Sequence, residues 1–295
     1  MEENNNTQSE CSPEKCSGCS SAGSCPSAQL KPEDLIEPMN AQSNIKHVVG
    51  IVSGKGGVGK SFVTGALAVM LSKKGYKVGI LDADITGPSI QKMFGLKNEV
   101  SGNADGILPG ISKGGIKIMS INMLLDDETT PVLWRGPVIS GVVKQFWKDV
   151  VWGDIDYLLV DMPPGTGDVP MTVFQSLPID GIVIVTSPQS LVNMIVKKAY
   201  NMAGTMRIRV LGVIENYSYF ECPDCGRKVE IFGKSNIDST ADEMGLKVLG
   251  KLPIDPQYAG IGDEGRFDEI DLPQLGDAIV KIESLKSRRT PNSQK

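Results

Sequence analysis

Val52-Ser53-Gly54-Lys55-Gly56-Gly57-Val58-Gly59-Lys60-Ser61 decides the fold of this chain. Before it, residues 46–51 end in an apolar run that reads as a strand; after it, the apolar periodicity of residues 62–71 reads as a helix. A Gly-rich turn between strand and helix is the setting of a phosphate cradle. Gly54, Gly56, Gly57 and Gly59, with Val58 among them, let successive backbone N–H groups turn toward phosphates, and the helix N-terminus adds a favourable dipole. Lys60 reaches the terminal phosphates and the Ser61 hydroxyl ligates Mg2+. The alternative is a Gly-rich turn with no ligand, against which the complete G-x-x-x-x-G-K-S spacing stands.

At 295 residues and 40% apolar content the chain can build one large α/β domain with appendages. Continuous apolar runs at 48–52, 78–81, 157–160, 181–185 and 210–214 alternate with helix-like segments, as in strands buried on both faces of a parallel sheet. The expected fold class is therefore α/β, a P-loop NTPase with a mainly parallel central sheet flanked by helices. Ile139, Val142, Val143, Phe146, Trp147 and Val150 form one helical stripe, read as core-facing, and the Gly-rich stretch 100–115 reads as an irregular excursion. Residues 1–43 are rich in Ser, Asn, Glu and Pro and read as a flexible, Cys-rich extension, residues 44–286 as the ATPase domain, and 287–295 as a disordered tail. A net charge of -5 argues against broad binding to nucleic acid or anionic membrane, and no apolar run approaches membrane-spanning length. The N-terminus is polar, without a signal or transit sequence, which places the chain in the cytoplasm.

Two acidic segments follow predicted strands. Asp82-Ala83-Asp84-Ile85-Thr86-Gly87-Pro88 sets two carboxylates at a strand end, a pattern that alone would also suit a turn and helix cap. Asp161-Met162-Pro163-Pro164-Gly165-Thr166-Gly167-Asp168 places an Asp after an apolar strand, where it can hold Mg2+ through water, while the Pro/Gly segment can sense the terminal phosphate.

Six cysteines in a reducing compartment point to metal rather than disulfides. Cys222 and Cys225 form a C-x-x-C knuckle in which two thiolates can meet one metal. Two ligands complete neither a tetrahedral ion nor a cubane cluster. A two-fold axis would supply four, which suggests a [4Fe-4S] cluster bridging a homodimer; a dithiol redox pair and half of a zinc site are the competing readings. Cys11, Cys16, Cys19 and Cys25 are four potential ligands for a second Fe-S cluster or a zinc ion, with unpaired cysteines as the alternative. The only histidine, His47, lies in the first strand region and reads as structural.

Lys55 makes the P-loop resemble the deviant form of the MinD, ParA and nitrogenase iron-protein superfamily. That resemblance implies that Lys55 crosses a dimer interface to the partner's nucleotide, stabilising charge in phosphoryl transfer. It also implies that Asp84 orients or deprotonates the attacking water, that Asp82 supports the loop and metal shell, and that Asn216, Pro253 and Asp255 contact adenine. The magnesium surround on this reading is Ser61, Asp82, Asp84 and Asp161. Together with Trp134-Arg135-Gly136-Pro137 and Cys222-Pro223-Asp224-Cys225-Gly226, these motifs are similar to those of the Mrp/ApbC/Nbp-type iron-sulfur carrier ATPases, over residues 44–285. The N-terminal cysteines resemble the extension of the Nbp branch, although that branch sets its first cysteine farther upstream than Cys11 lies from Cys16. The family implies a homodimer that hydrolyses Mg-ATP, assembles a labile [4Fe-4S] cluster with cluster assembly factors, and transfers it to apo-iron-sulfur proteins. A positioning ATPase of the MinD/ParA kind would share the nucleotide site but gives no reason for the knuckle. An electron-transfer ATPase would share both.

Overall fold

The P-loop connects β1 (Asn44–Val52) to α1 (Lys60–Lys73), and β1 lies at the centre of the sheet. The computed structural model describes residues 35–84, 90–97, 100–124, 136–188 and 192–286. Cys11, Cys16, Cys19, Cys25, Trp134, Arg135 and the 287–295 tail lie outside the described residues. The remaining elements are β2 (Val78–Asp82), α2 (Ile90–Met93), β3 (Ser101–Asn103), β4 (Gly106–Leu108), β5 (Gly110–Ile111), β6 (Lys117–Ser120), α3 (Gly136–Asp149), β7 (Asp154–Asp161), α4 (Asp168–Ser176), β8 (Gly181–Thr186), α5 (Val192–Thr205), β9 (Val210–Glu221), β10 (Lys228–Val229), α6 (Ile237–Glu243), β11 (Val248–Ile254), α7 (Pro256–Asp263) and α8 (Gly276–Glu283).

The main sheet runs β10-β9-β8-β1-β7-β2-β6-β5, with β11 also paired to β9. Only β10 and β5 pair antiparallel in this sheet. Successive residues of the central strands face opposite layers, both of them covered, which is why the apolar runs are continuous. Val48, Val52, Leu81, Leu158, Val160 and Ile184 enter the layer capped by α3, α4 and α5. Val49, Ile51, Ile80, Leu159, Val183 and Val185 enter the one capped by α1 and α8. On α3, Ile139, Val143, Phe146, Trp147 and the adjoining Val150 are buried as the stripe predicts, with Val142 half-buried beside them. Among the described residues no helix is long and apolar enough to cross a membrane.

One expectation is extended and one corrected. Packing against the body reaches back to Glu37, ahead of the strand that opens at Asn44. Glu37 N–H donates to Ser176 O (2.9 Å), its carbonyl accepts from Trp147 Nε1 (2.9 Å), and its carboxylate lies 3.5 Å from both Lys144 and Lys148. The 100–115 stretch is not irregular: β3 and β4 form an antiparallel hairpin, and β5 adds an antiparallel edge to β6. Asn103 makes the tight turn by accepting the N–H groups of Asp105 and Gly106 on its side-chain oxygen.

The end of α1 is tied to α8 through Glu283, whose Oε1 accepts from Lys74 Nζ (2.6 Å) and Tyr76 OH (3.1 Å). The Lys74 hydrogen bond, aided by Tyr76 and the lysine charge, holds the Glu283 carboxyl below its ordinary pKa. A lowered folded-state pKa adds stability that is present above the unfolded value and lost as pH falls through the folded one. Glu283→Gln should therefore lower the unfolding free energy at about pH 7, by less than about 1 kcal/mol, and converge with wild type at about pH 3. Urea melts at the two pH values check this.

Candidate functional site

Parallel strands deliver their carboxyl ends to one edge, and register aligns the acidic residues there. Asp161 of β7 pairs with Ile51 of β1 and Asp82 of β2, and Asp82 pairs with Ser120 of β6. Chain segments far apart in sequence thus set the P-loop beside Asp82, Asp84 and Asp161.

The loop has the conformation of an anion cradle. Gly57 and Gly59 take positive φ of 78° and 76°. Gly56 and Gly57 are exposed, and a Cβ on either would meet nothing within 4 Å. Gly59 is the N-cap of α1, whose first turn has no side-chain cap and no acidic residue. No side-chain cap therefore competes with an anion for the helix N-terminus. Lys55 is half-buried on the same loop. A Cβ on Gly54 would stand 2.3 Å from Ile195 Cγ2, so α5 packs directly under the cradle.

Lys60 is buried beside the carboxylates, with Nζ 2.8 Å from Asp161 Oδ1 and 3.2 Å from Asp84 Oδ2. Burial pushes the Lys60 ammonium down, but the charges of Asp161 and Asp84 outweigh it and leave the pKa above that of an ordinary lysine. Asp161 also accepts from Ser61 Oγ on Oδ2 (2.5 Å) and from Thr64 Oγ1 on Oδ1 (2.8 Å). The all-oxygen donor set of Ser61 and Asp161 fits a hard cation such as Mg2+. Thr64 was not singled out from sequence. Its signal was a hydroxyl one turn after Lys60 on an otherwise apolar helix, where it also donates to Lys60 O (3.0 Å).

Asp82 is fully buried, accepting Ser120 Oγ on Oδ2 (2.9 Å) and the Asp84 N–H on Oδ1 (3.1 Å). Burial, reinforced by the charge of Asp161, raises its pKa well above the usual carboxylate value. These contacts make Asp82 a buttress for Asp84. The segment after Asp161 is fastened to the P-loop, because Gly165 N–H donates to Ser53 O (2.8 Å).

Asn216 also reaches the P-loop, where its Nδ2 donates to Val58 O (3.1 Å). Pro253 and Asp255 stand at the end of β11, one strand beyond β9; Asp255 caps α7 by accepting Gln257 N–H (2.8 Å). Close by, Phe62 packs against Tyr258 at a ring separation of 5.8 Å. His47 lies at the opposite end of β1, stacked on Tyr157 at 5.3 Å, away from this site.

β9 stays paired to its last residue, Glu221, and leads directly into the cysteine knuckle. Gly226 N–H donates to Cys222 O (2.8 Å), Cys222 N–H donates to Arg227 O (3.0 Å), and β10 returns along Phe220 and Glu221. Every residue from Pro223 to Lys234 is exposed, including Val229, Ile231 and Phe232. The Cys225 N–H, then the Asp224 N–H and the Cys225 thiol, lower the Cys222 pKa, which favours the thiolate that binds metal. Both cysteines are free, and no group of three or more His, Cys, Asp or Glu suited to a metal occurs among the described residues.

Comparison with known proteins gives the family of the chain. A ParA-group family model described as NUBPL iron-transfer P-loop NTPase matches residues 44–281. An iron-sulfur cluster carrier protein of Methanocaldococcus jannaschii is 48% identical over 255 residues, covering 85% of this chain and 88% of that protein. A cytosolic Fe-S cluster assembly factor, CFD1 of Kluyveromyces lactis, is 44% identical over 233 residues, covering 76% and 82%. Among solved structures, a nucleotide-binding protein of Archaeoglobus fulgidus in complex with ADP superposes with a TM-score of 0.71 at 43% identity, covering 79% of this chain and 91% of that one. MinD of Aquifex aeolicus shares the fold, with a TM-score of 0.56 at 21% identity, covering 80% and 95%. The chain belongs to the NUBPL iron-transfer P-loop NTPase family.

Proposed function

We propose that the chain is a homodimeric, cytoplasmic ATPase that assembles a [4Fe-4S] cluster between two Cys222–Cys225 knuckles and transfers it to apo-iron-sulfur proteins. The observation that carries this is the knuckle itself: two free thiols on an exposed arm, with amide donors that favour a thiolate and no further ligand group among the described residues. A second copy completes the ligand set. Val229, Ile231 and Phe232 supply apolar surface beside it for that contact.

At the nucleotide end, the cradle N–H groups and Lys60 bind the ATP phosphates, and Lys55 reaches toward the partner's nucleotide. Ser61 and Asp161 would hold Mg2+, within the acidic surround of Asp82 and Asp84, and the ion would neutralise charge on the phosphates. Asp84 positions and accepts the proton of the attacking water. Asn216, Pro253 and Asp255 line the adenine side. The N-terminal quartet Cys11, Cys16, Cys19 and Cys25 holds a second metal centre.

Anaerobic reconstitution of the full chain with Cys11, Cys16, Cys19 and Cys25 changed to Ser tests the reading. One [4Fe-4S] cluster per dimer is expected, with charge-transfer absorption and loss to an apo-acceptor. Adding Cys222→Ser and Cys225→Ser should abolish the cluster and leave ATP binding intact. A cluster held by the monomer, or transfer undiminished in that variant, would overturn the proposal. Reversible one-electron reduction without cluster loss would instead mark an electron-transfer ATPase.

A further inference from the structure

Between the P-loop and the cysteines, β9 carries an irregularity at one point. Pairing with β11 advances from Lys251 to Pro253 while β9 advances from Glu215 to Tyr219, so Asn216, Tyr217 and Ser218 form a bulge. Bulges re-aim side chains, and this one turns two of them onto the P-loop. Tyr217 has φ 59°; with Arg207 it is one of the two non-glycine residues at positive φ among the described residues. A left-handed tyrosine costs about 1–2 kcal/mol and persists only where its surroundings hold it. Its ring abuts the loop at Gly59, where a Cβ would lie 3.0 Å from the Tyr217 hydroxyl and 2.1 Å from Asn216 Nδ2.

The other side of the bulge is anchored to the cysteine arm. Glu215, fully buried, accepts Ser218 Oγ on Oε2 (2.6 Å) and Ser235 Oγ on Oε1. Ser235 lies where the arm rejoins the body, and its Oγ accepts the Ile237 N–H (3.1 Å) at the start of α6. Farther along β9, Lys228 of the returning β10 stands 4.4 Å over the Tyr219 ring. Both ends of the arm are thus fixed within a few residues of a ring that rests on the phosphate loop.

We propose that Tyr217 is a positioning residue that couples the state of the P-loop to the pose of the Cys222–Cys225 knuckle. A shift of Gly59 on phosphate binding displaces the Tyr217 ring. The bulge transmits that displacement along β9 to Cys222 and, through Glu215 and Ser235, to the return of the arm. The inference rests on the carrier reading of the two sites, but its test runs on metal-free protein and is decided separately.

The reduced full chain is alkylated with and without saturating Mg-ATP, and the Cys222–Cys225 peptide is followed by mass spectrometry, with N-terminal cysteine peptides as internal reference. ATP should change the knuckle rate by about fivefold in wild type. Tyr217→Phe keeps the ring and should keep that ratio, whereas Tyr217→Gly, which accepts positive φ without a ring, should bring it to about one while ATP still binds. A purely structural role for Tyr217 would alter the melting temperature or the basal rate but not the ratio. An unchanged ratio in Tyr217→Gly with ATP bound would overturn the proposal. Amide exchange over residues 218–229 in wild type needs no variant: slower exchange with ATP supports the coupling, and identical exchange under confirmed saturation overturns it.

Discussion

Lys60→Ala is expected to weaken ATP by on the order of a hundredfold, about 2.8 kcal/mol, and to lower the melting temperature of the protein without nucleotide. The two effects have one cause. Lys60 is the ammonium facing Asp161 at 2.8 Å and Asp84 at 3.2 Å, with Asp82 buried behind them. Removing one partner from a buried ionic group strands the others and typically costs about 3–5 kcal/mol. Asp161→Asn added to Lys60→Ala should therefore recover part of the stability and none of the binding, a split that calorimetry and nucleotide titration can read. Asp84→Asn makes the contrast: on the role proposed for Asp84, ATP still binds and hydrolysis falls by about two to four orders of magnitude. Full turnover in folded Asp84→Asn protein would remove Asp84 from that role.

Gly59→Ala should be the most damaging single methyl in the loop. Its φ of 76° is unfavourable for alanine, and the new Cβ would sit 2.1 Å from Asn216 Nδ2, inside any real contact. Backbone strain alone is about 1–2 kcal/mol, and displacing Asn216 breaks its hydrogen bond to Val58 as well. ATP binding and thermal stability should fall together. Asn216→Ala in the same chain relieves the clash, so the pair should be less destabilised than the sum of the single changes. Gly56→Ala is the control for folding, because its Cβ would meet nothing within 4 Å. Melting curves of the four variants decide the matter.

The cradle and the acidic strand ends could be read from sequence because their chemistry is local: G-x-x-x-x-G-K-S and an aspartate after an apolar run each define a few contiguous residues. The strands at 48–52, 157–160 and 181–185 were legible because burial on both faces leaves unbroken apolarity. β9 was read only as far as Ile214. Beyond it come Glu215, Asn216 and Ser218, polar but buried, each satisfied by a side-chain or loop partner that no periodicity shows. β6 was missed because its four residues offer too short a pattern, and its place in the sheet comes from pairing with β2. Glu37 reads as part of a polar leader, yet an indole N–H and two lysines fix it to the body. Contacts of this kind are made across the fold and leave no trace in neighbouring residues.

The bare N-terminus of α1 has a consequence for the life of the protein in the cell. A Ser, Thr, Asp or Asn cap is worth about 1 kcal/mol to a helix, and this one begins on Gly59 with no side-chain cap. The missing cap is supplied by whatever anion occupies the loop, so folding free energy becomes a function of nucleotide supply. A ligand at a hundred times its Kd adds about 2.7 kcal/mol, enough to cut the unfolded fraction roughly a hundredfold. Proteases and chaperones act on that fraction. Turnover of the protein should then quicken when nucleotide is depleted, which pulse-chase at high and low nucleotide would read.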